Sequence, residues 1–164
     1  MSEEIIKRRT RTADEAYAAL ARLCARAEKS SGDARRLMRT WGVPESEREG
    51  VLKRLLRERF IDDSRYASAF VRDKIALSGW GPYKIRTALA AKGVAREIID
   101  EALGECDRTK MDHRLEQLLQ RKLGSLRGGT PYERRAKLMR YGLSLGYDYS
   151  TVADRVEELI KEID

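Results

Sequence analysis

The sequence predicts an all-α fold of three tandem three-helix repeats, and three observations lead there. Apolar residues recur at helical spacing along most of the chain, as in Tyr17, Leu20, Cys24 and Ala27. Only 3 of 164 residues are Pro, while 37% are charged against about 25% in an average domain, which suits helices with solvated outer faces. Gly42, Gly93 and Gly146 then stand 51 and 53 residues apart, each closing a short helix before another begins. Around them Val43, Val94 and Tyr147 coincide, as do Leu52, Leu103 and Val156, and Met38 matches Leu89.

Taken in order, residues 1–11 form a flexible basic arm with Lys7, Arg8, Arg9 and Arg11 within five positions. Residues 12–60 make the first repeat. Thr12 or Asp14 caps a helix that Ser30-Ser31-Gly32 is expected to end. Ala34, Leu37, Met38 and Trp41 give the second helix one apolar face, with Trp41 as a core anchor. Pro44 opens the third, whose inner stripe is Val51, Leu52, Leu55 and Leu56.

Residues 61–106 make the second and best-specified repeat. Asp62 is the expected N-cap of a helix over 62–78, with Ile61 and Tyr66 placed for a hydrophobic staple. Tyr66, Phe70, Val71 and Leu77 supply its apolar positions. The corner 79–82 holds two glycines and Pro82, which suits the first turn of a helix over 83–92. Gly93 is placed as its left-handed cap, and a helix over 95–104 follows. In the third repeat, residues 107–164, a long helix carries Met111, Leu115, Leu118, Leu119 and Leu123. Thr130 and Pro131 start a helix that runs to Gly146, and Val152, Val156, Leu159, Ile160 and Ile163 line the last one. Nine helices are expected in all.

The net charge of +7 favours anionic partners, but it is unevenly spread. The excess is +5 over residues 1–60, zero over 61–106 and +2 over 107–164. A neutral middle argues against a surface that coats DNA uniformly. It suits basic ends around a protein-contacting centre.

On a helical wheel of about 100° per residue with Ala34 at zero, Leu37, Met38 and Trp41 fall between about −60° and +40°. Arg35, Arg36 and Arg39 fall near 100°, 200° and 140°, away from the core. Lys84 and Arg86 flank the apolar face of the matching helix in the second repeat, and Lys137 and Arg140 do so in the third. These seven residues are the candidate binding surface, and arginine suits bidentate phosphate or carboxylate contacts.

No catalytic set, cofactor site or metal site is evident. The chain has one His and two Cys 82 positions apart, with no CxxC pair. Asp62-Asp63 is better explained by helix capping than by acid chemistry. There is no phosphate-binding GxxxxGK[ST] loop. A signal peptide and a spanning helix are both absent from the pattern, so a cytoplasmic monomer that does not act as an enzyme is expected.

The stretches FIDDSRYASAFVRDK (Phe60–Lys74) and GPYKIRTALAAKGV (Gly81–Val94), supported by KLMRYGLSLGYDYSTV (Lys137–Val152), resemble the RecX family of bacterial regulatory proteins. The resemblance implies an elongated, curved array of helical repeats. It also implies binding to the RecA filament on DNA, with inhibition of filament extension, ATPase, strand exchange and co-protease activity. The consequences would fall on DNA repair, recombination and the SOS response. The first repeat departs most, with SSGDARRLM where the central copy has GWGPYKIRTAL. Weak direct DNA contact is compatible with this role. The competing reading is a stand-alone DNA-binding protein with helix-turn-helix-like units.

Overall fold

A computed structural model describes residues 10–163, so Lys7, Arg8 and Arg9 of the basic arm lie outside the described residues. The fold is all-α, with nine α-helices and no strand among the described residues. In order they are α1 (Ala13–Arg26), α2 (Ser31–Thr40), α3 (Glu45–Arg57), α4 (Asp63–Asp73), α5 (Pro82–Ala91), α6 (Arg96–Gly104), α7 (Arg108–Ser125), α8 (Pro131–Ser144) and α9 (Tyr149–Lys161). The chain divides into two compact units. One holds the residues up to Tyr66 together with Ala91–Ala95, and the other holds Ala67–Ala90 and the residues from Arg96 onward.

In the first unit α1 and α2 both pack on α3. Their apolar stripes close over a core of Leu20, Ala34, Met38, Val43, Leu52, Leu55 and Ile61. Trp41 and Cys24, expected within that core, sit half-buried at its edge. Leu56 is the exception in the expected stripe, and it remains exposed. Thr12 caps α1 in a capping box with Glu15.

The Ser30-Ser31-Gly32 stretch does the reverse of what was expected. α1 stops at Arg26, and Ser30 instead starts α2. Its hydroxyl accepts the Asp33 N–H at 3.1 Å, while its own N–H donates to the Asp33 carboxylate at 3.2 Å. A Ser-x-x-Asp pattern is a helix-start signature, and here it outweighs the loop-forming bias of Ser-Ser-Gly.

In the second unit α7 packs on both α8 and α9, and α8 packs on α9. Ile85, Leu89, Leu115, Leu119, Leu138, Val152 and Val156 are fully buried there. α4 runs on into a π-helical turn, Lys74–Ser78, closed by the Gly79 N–H on the Lys74 carbonyl, which the Trp80 N–H also reaches at 3.0 Å. That wider turn breaks the 3.6-residue spacing. Ile75 takes the buried position, and Leu77, expected on the apolar face, is 80% exposed. Phe70 is half-buried rather than a core residue, set edge-on to Trp80 with ring centroids 6.2 Å apart. Thr130 and Pro131 start α8 as anticipated, with Thr130 capping in a box with Glu133.

Each unit contains one close backbone approach at the start of a middle helix. In the first, the Ser30 hydroxyl donates to the Lys92 carbonyl at 2.7 Å, and Gly32 lies against Lys92 and Gly93 so tightly that a β-carbon would collide with them. In the second, the Gly81 N–H donates to the Leu145 carbonyl at 2.7 Å and the Tyr83 N–H to the Gly146 carbonyl at 3.0 Å. Gly146 has φ +96° and no room for a β-carbon against Lys84. Ser30 and Gly81 each stand twelve residues before the glycine that closes their own helix. They also reach equivalent carbonyls, one residue before Gly93 and Gly146.

Candidate partner-binding faces on the middle helices

The middle helices α2, α5 and α8 carry all seven residues singled out from the sequence, and the structure separates them by what holds each charge. On α2, Arg35 makes a two-point contact with Glu49, with Nε–Oε1 2.9 Å and Nη2–Oε2 3.4 Å. That contact pushes the Arg35 guanidinium pKa up and the Glu49 carboxyl down. Arg36 pairs with Asp33 at 3.1 Å. Arg39, exposed on the last turn, has no ion pair among the described residues.

On α5, Arg86 is half-buried and ion-paired with Asp100. Lys84 is exposed, with its Nζ 4.7 Å from the Trp80 ring centroid and 3.4 Å from the Ser144 carbonyl. Lys74 approaches the same ring at 4.5 Å, so Trp80 holds two ammonium groups by cation–π attraction. On α8, Lys137 and Arg140 are exposed and have no ion pair among the described residues. Lys84 lies against Gly146, at the C-terminal end of the helix that bears them.

Within each unit, then, the expected cations do share an element or adjoining elements. Those available for a partner without breaking an internal pair are Arg39, Lys84, Lys137 and Arg140. Arg35, Arg36 and Arg86 have carboxylate partners. Glu49 and Asp100 sit fourteen residues beyond Arg35 and Arg86, on the following helix, so the pairing recurs in two repeats. Charge type on one helix could not reveal it.

The carboxylates at Asp62 and Asp63 are indeed capping groups, but of different helices. Asp62 accepts the Arg65 N–H at 3.0 Å in its own helix, whereas Asp63 accepts the Ser31 N–H of α2 at 2.8 Å. Asp33 itself is buried, and burial pushes its carboxyl up. The Ser30 N–H, Lys92 and Arg36 outweigh that penalty and hold its pKa below the ordinary carboxylate value.

One feature escaped the wheel because it is aromatic rather than charged. Pro82-Tyr83 and Pro131-Tyr132 repeat at the starts of α5 and α8, and both tyrosines are exposed, by 61% and 80%. Their recurrence as Pro-Tyr was the available signal. No group of His, Cys, Asp and Glu among the described residues is arranged to hold a metal ion. Among the same residues, no helix is long and apolar enough to cross a membrane.

Residues 62–103 match the model of the second three-helix domain of RecX, and residues 112–154 match that of the third. A Regulatory protein RecX from Pseudomonas savastanoi pv. phaseolicola is 35% identical over 125 residues, covering 76% of this chain and 77% of that protein. The chain belongs to the RecX family. Another RecX, from Clostridium botulinum strain Eklund 17B, is 40% identical over 103 residues. That match covers 62% of this chain and 48% of the relative, so the chain spans about half the length of such clostridial relatives. The crystal structure of RecX from Lactobacillus salivarius has the same fold, with TM-score 0.81 at 19% identity, covering 90% of this chain and 96% of that one. The two domain matches fall within residues 61–106 and 107–164, and residues 1–61 lie outside both.

Proposed function

We propose that this RecX-family chain binds the RecA nucleoprotein filament and inhibits its extension, ATPase, strand exchange and co-protease activity, thereby modulating recombination, DNA repair and the SOS response. The observation that carries the reading is the set of unpaired cations on the exposed faces of successive middle helices. Arg39 in the first unit, and Lys84, Lys137 and Arg140 in the second, are free of carboxylate partners and ready to meet phosphate or carboxylate groups. Arg35, Arg36 and Arg86 join it by exchanging their internal carboxylates for the partner. Tyr83 and Tyr132 add rigid amphipathic contact area, the residue type enriched where interfaces concentrate their energy.

The working units are the three repeats 12–60, 61–106 and 107–164, acting as a cytoplasmic monomer with at most weak direct affinity for naked DNA. No catalytic step is assigned to the chain. A filament offers phosphates beside protein walls, so basic faces around a neutral centre complement both.

The deciding measurement is the DNA-dependent ATPase of RecA at fixed DNA with sub-stoichiometric amounts of this protein. Inhibition well below saturation of the DNA is expected. Inhibition that appears only when the DNA is coated would make the chain a stand-alone DNA-binding protein.

A further inference from the structure

A second basic cluster lies in the first unit, made of residues other than the seven on the middle helices. Arg11, Glu15, Ala18, Arg22 and Trp41 line a cleft of about 530 Å³, and a smaller one of about 210 Å³ continues it to Arg26. Arg11 is fixed there twice. Its N–H donates to the Trp41 carbonyl at 2.8 Å, and its guanidinium lies 4.0 Å from the Trp41 ring centroid. Arg22 and Arg26 stand one turn apart on the exposed side of α1, and none of the three arginines has an ion pair among the described residues.

The fold does not account for this arrangement. Like charges at i and i+4, as at Arg22 and Arg26, repel, and Ala18, one turn before Arg22, supplies no counter-charge. Glu15, the one acid of the cleft, is held in the capping box of Thr12. What results is two guanidinium groups one turn apart on α1 and a third held over the half-buried Trp41 indole, all opening on the same cleft.

We infer that the cleft between α1 and Trp41 binds successive phosphates of a DNA strand, with Arg11, Arg22 and Arg26 as the contacts. Several planar forks around one cleft, with no carboxylate paired to them, fit a polyanion better than a single carboxylate. The half-buried indole lies where a nucleotide on the strand passes. The inference takes from the proposed function only the class of partner, DNA.

The test uses the full chain carrying Trp80→Phe, which leaves Trp41 as its only tryptophan, and a short fluorescein-labelled oligothymidylate. Binding is expected to change Trp41 emission. Arg22→Gln with Arg26→Gln is expected to weaken binding about tenfold at low salt. The slope of log K against log salt should become shallower by about 1.4, two phosphates at roughly 0.7 each on a single strand. Helicity and Tm should be unchanged, since neither side chain holds the fold, and the double Lys variant should retain the slope.

Affinity and slope equal to the parent's would overturn the site, as would oligothymidylate binding without change in Trp41 emission. Competition by polyglutamate as strong, charge for charge, as by DNA would overturn it in favour of an acidic protein partner. RecA ATPase measured on the same variants separates the two readings. Loss of DNA binding in the variant alone supports the cleft, whether or not the parent inhibits RecA.

Discussion

The two backbone approaches, Ser30–Gly32 on Lys92–Gly93 and Gly81–Tyr83 on Leu145–Gly146, place equivalent residues against equivalent carbonyls by different chemistry. In the first unit a side chain donates the bond, and buried Asp33 gathers Ser30, Lys92 and Arg36 around it. In the second, peptide N–H groups donate both bonds and no carboxylate takes part. The geometry is therefore common to the repeats, and the side chains serving it are free to drift. That explains how the first repeat can lose the GWGP corner yet keep the approach.

The difference can be broken from either side. The largest effect is expected at the backbone version: Gly146→Ala should cost about 3 kcal/mol or more, adding left-handed strain to a collision with Lys84. Gly32→Ala collides with Lys92 too, but at an ordinary helical φ where alanine is otherwise favoured, so its cost should be smaller. Chemical denaturation of both variants orders them, and Gly32→Ala proving the more damaging would refute the distinction.

Next comes Asp33→Asn, expected to cost about 1.5–3 kcal/mol through its charged hydrogen bonds. Because the folded-state pKa of Asp33 is depressed, its contribution is present above the ordinary carboxylate pKa. It is lost as pH falls through the folded value. The parent should thus lose stability on the acid side more steeply than the variant; parallel curves would remove Asp33 as the cause. Ser30→Ala should follow at about 1–2 kcal/mol, for a lost cap and a carbonyl left without its donor.

The smallest effect belongs to the second unit. The Tyr147 hydroxyl donates to the Met111 carbonyl at 3.2 Å, so Tyr147→Phe should cost about 1 kcal/mol. Burial, then the charge of Asp112, pushes the Tyr147 phenol up to about 12. A raised folded pKa means this contribution is complete below the ordinary value of 10.0 and lost between there and about 12. Thermal melts across that alkaline window should show the loss in the parent and not in Tyr147→Phe.

What the sequence disclosed depended on range. Helix caps at Thr12, Thr130 and Gly93, and the burial of Val152, Val156 and Leu159 on α9, follow from residues within a turn or two and were legible. Ile163, expected on the same face, lies past the helix end and is exposed. Leu77 was misplaced because a π turn changes the spacing that periodicity assumes. Phe70→Ala should accordingly cost less than the ~3–5 kcal/mol of a fully buried phenylalanine. For the candidate surface, residue type located basic faces but not their counter-charges, since Glu49 and Asp100 lie on other helices. The Arg11–Trp41 cleft was hidden for a similar reason. Arg11 belongs to the basic arm by sequence, and only the packing of α1 beside Trp41 brings it to the same cleft as Arg22 and Arg26.

The bond from Ser30 to Lys92 spans 62 positions, and the first unit takes in Ala91–Ala95 after a long excursion of the chain. During synthesis, the start of α2 therefore waits for residues made well after α3 is complete. At about 5–20 residues per second the interval is a few seconds, in which Ser30, Gly32 and Asp33 have no seat. A nascent chain stalled after Tyr66 should leave that end of α2 open to proteases, and one released past Ala95 should close it.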